Sequence, residues 1–247
     1  MKKLMMSLLC CTICGTVLTT GSVNAQGDSS TNSESLKELQ NEGIVSKSIT
    51  EQQWQQMKAQ ERKDEAEFEK TAEVQWQKQQ KQDRIDRENR SRKKKFHLKK
   101  GDFFITNNVS SKGFTGHAAI YTGKGKVKEA PGYGQPVRVK SFSDWKKSTL
   151  KKRKGSPKHR YIKVYRAPKK YRGKAGRYAR SHFNGVPYSI TANPYSKSVT
   201  YCSKLVWQSY YYGAGIYSVK GTPGPIFYQY SLNKHIKSKR VRTYKRG

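Results

Sequence analysis

The charged residues divide the chain into two parts at about residue 90. Residues 1–90 contain 13 basic and 14 acidic side chains, whereas residues 91–247 contain 38 basic and three acidic ones, a net charge of +35. All 16 tyrosines follow residue 120. The second part is long enough for one hydrophobic core, because domains usually contain about 100–150 residues. A single domain of uniform composition is therefore excluded.

Residues 1–25 have the pattern of a secretory signal peptide. Two lysines precede an apolar run from Leu4 to Val17, and Val23-Asn24-Ala25 ends in the small residue that cleavage requires. The run is shorter than the ~20 residues of a membrane-spanning helix, so a retained anchor is the weaker alternative. We expect cleavage after Ala25, a secreted or cell-envelope location, and no transmembrane segment in the mature chain.

Cleavage would leave Cys202 as the one cysteine, because Cys10, Cys11 and Cys14 lie within the signal peptide. No intramolecular disulfide is then possible. A single thiol in an exported protein is exposed to oxidation, so its presence needs a reason. It is either an inert, buried side chain or a nucleophile.

Two segments precede the basic part. Residues 26–49 are rich in Ser, Asn, Gly and Glu, which predicts a disordered linker. Residues 50–95 predict a long charged helix that begins at a capping box between Thr50 and Gln53 and ends near Arg90. Its apolar residues are sparse, so we expect either a solvated single helix or a spacer or pro-segment. Its first half is acidic, which would let it lie across the basic domain and mask it.

Residues 96–247 predict an α+β domain with an antiparallel sheet packed with helices. Short apolar runs between Gly and Asn residues indicate strands, and two segments have helical spacing. An irregular tail is expected after Pro223. The predicted strands are residues 103–106, 118–121, 126–130, 137–140 and 161–165, and the predicted helices are residues 174–183 and 202–212.

Three residues of this domain suggest nucleophilic catalysis. Cys202 lies at the predicted start of a helix, where unpaired backbone N–H groups favour a thiolate. His117 lies in a strand with small neighbours, and Glu129 lies in the next predicted strand. A thiolate beside an imidazole that a carboxylate orients is the arrangement for acyl transfer. Spacing alone does not bring Cys202 to His117, so an inert thiol and an ordinary strand histidine stay open as alternatives.

The turn between the two strands decides whether His117 and Glu129 can meet. With an odd number of connecting residues, such as 123–125, Glu129 pairs with Ala119. Because side chains two residues apart share a face, His117 and Glu129 then become diagonal neighbours. An even number would place them on opposite faces of the sheet.

Five sequence blocks resemble the YiiX/YebB-like branch of the NlpC-type cysteine hydrolases, a circularly permuted papain-like amidase family. They lie within residues 100–215 and are Gly101-Asp102-Phe103-Phe104-Ile105, Gly116-His117-Ala118-Ala119-Ile120-Tyr121, Val127-Lys128-Glu129-Ala130, Gly185-Val186-Pro187-Tyr188 and Tyr201-Cys202-Ser203-Lys204-Leu205-Val206-Trp207. The resemblance implies a permuted papain-like fold, in which the histidine precedes the cysteine along the chain.

The same resemblance implies roles for individual residues. Cys202 would be the nucleophile, His117 the general base and Glu129 the residue that orients the imidazole. Tyr188 matches a position that the family tends to keep and is a candidate for substrate binding. Ser189 and Lys204 stand where the family often has acidic residues. No cofactor is implied, and no spacing of histidines suggests a metal site.

These features predict a secreted cysteine amidase or peptidase that hydrolyses an amide-type acyl bond through a thioester. We expect its basic surface to bind an anionic cell-envelope polymer or lipid, as substrate or as docking surface. One alternative is a catalytically inactive, polyanion-binding envelope protein. The other is a nucleic-acid-binding protein, because Lys and Arg interleaved with Tyr suit phosphate neutralisation and base stacking. Export argues against nucleic acid as the physiological partner.

Overall fold

The computed structural model describes residues 35–88, 96–108, 112–221 and 224–247. The predicted signal peptide and residues 26–34 of the predicted linker lie outside these ranges. Ser33–Gly247 form one compact unit. The helices are α1 (Leu36–Asn41), α2 (Glu51–Glu88), α3 (Phe142–Thr149), α4 (Lys169–Ser181), α5 (Cys202–Ala214) and α6 (Leu232–His235). The strands are β1 (Phe103–Thr106), β2 (His117–Gly123), β3 (Lys126–Glu129), β4 (Arg138–Ser141), β5 (Arg160–Arg166) and β6 (Lys239–Arg246).

The six strands form one antiparallel sheet in the order β4-β3-β2-β1-β5-β6. Strand β1 is buried on both faces, which explains its continuous apolar run. Phe103 and Ile105 face a large core shared with α2, α4 and α5, whereas Phe104 packs on Trp145 of α3 in a second core. The predicted α+β class, with an antiparallel sheet, packed helices and a long preceding helix, is therefore confirmed. The permuted papain-like assignment stays a prediction.

Four elements were not predicted: α1, α3, α6 and β6. Helix α3 follows β4 directly, and β6 pairs with β5 where the sequence indicated an irregular tail. Strand β6 escaped recognition because cations occupy most of its positions, so it lacks the apolar alternation of a half-buried strand. Its outer edge is covered by α2, whose Gln79 accepts a hydrogen bond from the Thr243 amide at 3.0 Å and donates one to its carbonyl at 3.2 Å.

The predicted disordered linker is wrong for residues 35–49. Ser35 caps α1, with Glu38 completing a capping box. Ser46 N donates to the carbonyl of Ile190 at 2.7 Å, and Ile190 N donates to Ile44 O at 2.8 Å. A few apolar residues suffice to order a polar segment when a core formed elsewhere receives them. The buried ones are Leu36, Leu39, Ile44, Val45 and Ile49.

Helix α2 begins at Glu51, directly after the predicted capping residue Thr50, and Glu88 is its last described residue. The predicted end near Arg90 lies outside the described residues. The Thr50 hydroxyl accepts from Gln53 N at 3.2 Å, and the Gln53 side chain accepts from Thr50 N at 3.0 Å. The helix is not solvated on all sides, because four of its apolar residues enter the large core. They are Trp54, Met57, Phe68 and Ala72. Helix α2 and the described residues after Phe96 therefore share one core, and the predicted division into a separate helix and a hydrolase domain does not mark two compact units.

Because α2 is packed against the core, truncating one of its buried side chains should lower the free energy of unfolding. Replacing Phe68, which packs on the ring of Tyr230 with a 5.1 Å centroid separation, by alanine is expected to lower the free energy of unfolding by about 3–5 kcal/mol. Urea denaturation measures this change. Val74→Ser lies on the same helix at a residue that is 46% exposed and should change stability by less than about 0.5 kcal/mol. Equal, small effects of both variants would contradict the packing.

Candidate active site

Cys202 is the first residue of α5, as the sequence predicted. The preceding residue, Tyr201, has extended backbone torsions, and no side chain caps the helix. The amide groups of the first turn are therefore available to stabilise a negative charge on the thiol. The Cys202 side chain is fully buried.

The turn between β2 and β3 differs from the predicted three-residue connection. Lys124 and Gly125 form a two-residue turn, both with positive φ, at 51° and 70°. Such a turn alone would have placed the side chains of His117 and Glu129 on opposite faces of the sheet. A β-bulge between Tyr121 and Gly123 shifts the register by one residue and prevents this. Ile120 consequently pairs with Lys128, and His117 and Glu129 share a face. The parity argument was right, but the bulge supplies the extra residue.

Glu129 is buried and receives three hydrogen bonds. His117 Nε2 lies 2.9 Å and Trp145 Nε1 2.8 Å from Oε2, while Arg138 Nε lies 2.8 Å from Oε1. Burial opposes ionisation of this carboxyl, but the bonds from His117 and Arg138 outweigh it and hold the pKa at about 2. Glu129 is therefore an anion at neutral pH and fixes the orientation of the His117 ring.

His117 is enclosed between this carboxylate and Cys202. Burial alone would lower the pKa of the imidazole, but the Cys202 thiol and the Glu129 carboxylate outweigh burial and raise the pKa to about 9. Nδ1 makes no hydrogen bond to any described residue. Because Nε2 is engaged by Glu129, Nδ1 is the ring nitrogen left to exchange a proton with Cys202. The structure thus brings together the three residues that the sequence singled out.

Tyr188, the candidate for substrate binding, takes a different position. It is buried and forms an isolated parallel bridge with Thr200, two residues before Cys202. Ser189 N donates to Thr200 O and Thr200 N donates to Pro187 O, both at 3.0 Å. Tyr188 therefore belongs to the backbone pairing that leads into α5, and it does not line the cleft described next. Its role in substrate binding stays a prediction.

A polar cleft of about 270 Å³ opens beside His117 and Glu129. Sequence reasoning missed the cations around it, although Arg138 was detectable as the cross-strand partner of Glu129. Arg153 Nη2 donates to Ser148 O at 2.8 Å, and Lys140 Nζ lies 3.8 Å from Glu129. The lining residues are Asn108, His117, Glu129, Pro131, Gln135, Arg138, Lys140, Ser148, Thr149 and Arg153.

Helix α2 holds the segment that leads into His117. Thr115 N donates to Glu61 Oε1 at 3.1 Å. Gly116 has a φ of 74°, and a Cβ there would lie 2.3 Å from Thr106 O and 2.6 Å from the Tyr230 hydroxyl, so no other residue fits. The Tyr230 hydroxyl in turn donates to Glu65 at 2.9 Å. The position of the imidazole thus depends on a helix that the sequence appeared to separate from the domain.

Among the residues that the structure describes, no group of three or more His, Cys, Asp and Glu side chains is arranged to hold a metal ion. Within the same ranges, none of the helices combines the length and the apolar character needed to cross a membrane.

The bond from Trp145 to Glu129 gives a prediction about catalysis. Trp145→Phe keeps the packing on Phe104 but removes the indole donor, so we expect kcat/KM to fall about three- to tenfold. The lost bond stabilises the carboxylate, so the acid limb of the kcat/KM profile should move to higher pH. Trp207→Phe is the matched control, because its buried indole N–H has no partner among the described residues. An unchanged acid limb in Trp145→Phe would reject the role of this bond.

Comparison with known proteins places the chain in a family. The LnsA-like lipoprotein N-acylation protein family matches residues 71–245, and the chain belongs to it. The family implies an acyl-transfer or hydrolase-type enzyme. The family's description agrees with the broader expectation of acyl chemistry, but the match does not support the YiiX/YebB-like branch in particular.

A curated relative is an uncharacterised 30.3 kDa protein of Bacillus thuringiensis, 38% identical over 148 residues. The alignment covers 56% of this chain and 53% of the relative, so the chain spans about half the length of the relative that it matches. No solved structure matches the chain.

Proposed function

We propose that the protein transfers an acyl group through a thioester on Cys202, with His117 moving the proton and Glu129 orienting the imidazole. The observation that carries this proposal is the buried line from Glu129 through His117 to Cys202, in which the pKa of His117 is raised to about 9. A protonated imidazole beside the thiol at neutral pH fits a thiolate and imidazolium pair, the reactive form of such a nucleophile.

In the first step, the Cys202 thiolate attacks the carbonyl carbon of the acyl donor. A carbon–sulfur bond forms, the bond to the leaving group breaks, and the His117 imidazolium gives its proton to the departing atom. The backbone amides at the start of α5 are suited to stabilise the negative charge on the carbonyl oxygen in the transition state. Glu129 stays ionised and holds the ring.

In the second step, an acceptor attacks the thioester carbon and restores the thiolate. His117 takes the proton from the acceptor and returns to the imidazolium. We favour an amine acceptor over water because the family is described as lipoprotein N-acylation proteins. Hydrolysis, the activity expected from the sequence, is the second candidate.

The cations that line the cleft favour an anionic acyl donor. Arg138, Lys140 and Arg153 bring positive charge to the opening beside His117, where a phosphate-bearing or carboxylate-bearing donor would be attracted. An anionic envelope lipid or polymer, met after export, meets that requirement. Secretion, the substrate and the absence of a nucleic-acid role are parts of this proposal.

The thioester can be tested with p-nitrophenyl octanoate and a chain that begins at Gln26. Because Cys202 is the only cysteine after residue 25, a hydroxylamine-labile octanoyl adduct in the intact mass identifies a thioester at this residue. Glycine ethyl ester added afterwards should yield more N-octanoyl product than octanoic acid. Octanoic acid alone would favour the hydrolase. Absence of the labile adduct would reject the proposed nucleophile.

A further inference from the structure

Two neighbouring apolar side chains project into solvent at the far end of α5. Ile216 is 64% exposed and Tyr217 is 75% exposed, the largest values among the exposed large hydrophobic residues that the structure describes. They lie in the short 3-10 helix Ile216–Ser218, which follows α5. We call this pair the apolar knob. Isolated exposed apolar residues are common on soluble proteins, but an adjacent pair at this exposure is a candidate interaction site.

The backbone of the apolar knob is fixed, so its exposure is built into the fold. Ser218 is buried, and its hydroxyl donates to Tyr210 O at 2.9 Å. The next residue, Val219, is also buried and forms a bridge with Ile236. Lys220 N donates to His235 O at 2.8 Å. Both apolar side chains are therefore held outward without a conformational change.

Helix α4 packs against this end of α5 and carries six cations. A Cβ on Gly213 would lie 2.5 Å from Tyr178 Cβ and 3.2 Å from Ala175 Cα, so the last turn of α5 rests on α4, three residues before the knob. No Asp or Glu follows Asp144 in the sequence. None of the α4 cations has a carboxylate partner among the described residues; they are Lys169, Lys170, Arg172, Lys174, Arg177 and Arg180.

We propose that the apolar knob and α4 form a docking surface for an anionic lipid bilayer. Ile216 and Tyr217 would enter the boundary between headgroups and acyl chains, where aliphatic and tyrosine side chains are favoured, while the α4 cations contact the headgroups. A hydrated polyanion would satisfy the cations alone and would leave the apolar pair in water. The combination therefore selects a bilayer, and the surface is independent of the chemistry at Cys202.

Vesicle co-sedimentation tests the surface, with a chain that begins at Gln26. This chain keeps the compact unit Ser33–Gly247 and omits the apolar run Leu4–Val17, which would bind vesicles by itself. Binding to phosphatidylglycerol/phosphatidylcholine vesicles should exceed binding to pure phosphatidylcholine. The double variant Ile216→Ser/Tyr217→Ser should weaken binding to the anionic vesicles at least about tenfold, because it removes two apolar side chains that would enter the bilayer.

Two controls make the result specific. Tyr133→Ser/Val139→Ser alters residues that are 48% and 50% exposed elsewhere and should retain vesicle binding, as should Cys202→Ala. Tyr217→Trp adds an indole to the knob, and brominated lipids should quench a larger part of its fluorescence than they quench in the parent chain. Equal vesicle binding by the knob variant would overturn the proposal. It would also be overturned if the knob variant lost affinity for soluble poly(glycerol phosphate) as much as for vesicles, since that polymer offers no apolar phase.

Discussion

Replacement of Cys202 by alanine is expected to lower kcat/KM for acyl transfer by at least about a thousandfold while the protein stays folded. The reason is that no other thiol is present after residue 25, so no side chain can replace the nucleophile. The rate of N-octanoyl product formation from p-nitrophenyl octanoate and an amine measures the loss. The labile octanoyl adduct should disappear in the same variant.

A matched control lies two turns further along the same helix. The Ser209 hydroxyl donates its hydrogen bond within α5, to Leu205 O at 2.7 Å, so Ser209→Ala should leave the rate within about twofold of the parent. Near-normal turnover in Cys202→Ala would show that another residue carries the acyl group. It would leave the bilayer-docking surface untouched.

Glu129→Gln is expected to lower kcat/KM by about 10²–10⁴, because the imidazole loses the anion that orients it and stabilises its charged form. The parent enzyme should lose activity as the pH rises through about 9, where the imidazolium gives up its proton. Removing the carboxylate lowers the pKa of His117, so the alkaline limb of the variant should move to lower pH. Asp144→Asn, at an exposed acid of the same domain, should leave the profile unchanged.

The buried pair of His117 and Glu129 also makes the free energy of unfolding depend on pH. His117 has a folded-state pKa raised from 6.5 to about 9, so its contribution is complete below pH 6.5 and is lost as the pH rises through about 9. Glu129 has a folded-state pKa lowered from 4.5 to about 2, so its contribution is present above pH 4.5 and is lost as the pH falls through about 2. In Glu129→Gln the Glu129 contribution should therefore disappear and the His117 contribution should become smaller, because only Cys202 still raises the pKa of the imidazole. Urea denaturation at several pH values measures this.

The sequence predicted the centre of the sheet because strong local patterns mark it. The apolar runs of β1 and β2 lie in central, fully buried strands, where composition alone identifies a strand. The sequence predicted the contact between His117 and Glu129 only on the condition that the connection between their strands has an odd number of residues. The bulge that satisfies the condition depends on strand pairing beyond the turn, which the turn residues do not encode.

Other features escaped prediction because they depend on contacts between distant segments. Residues 35–49 are polar on average and become ordered only through a core built from residues far along the chain. The indole of Trp145 reaches Glu129 because α3 packs under the sheet, and no sequence spacing reveals that. The Trp145 donor to the carboxylate was therefore beyond reach, even though the carboxylate itself was identified.

The acidic residues of α2 have a consequence for how the chain tolerates change. At successive turns Asp64 accepts from Tyr228, Glu69 from Asn107 and Glu73 from Tyr161, so the helix is matched to the rest of the fold along its length. Each added or deleted residue rotates everything beyond it by about 100° and shifts it by about 1.5 Å. Substitutions on the solvent-exposed face of α2 should therefore change stability little. A single insertion or deletion would move the carboxylates away from their hydrogen-bond donors. The length of helix α2 is therefore more strongly constrained than its composition.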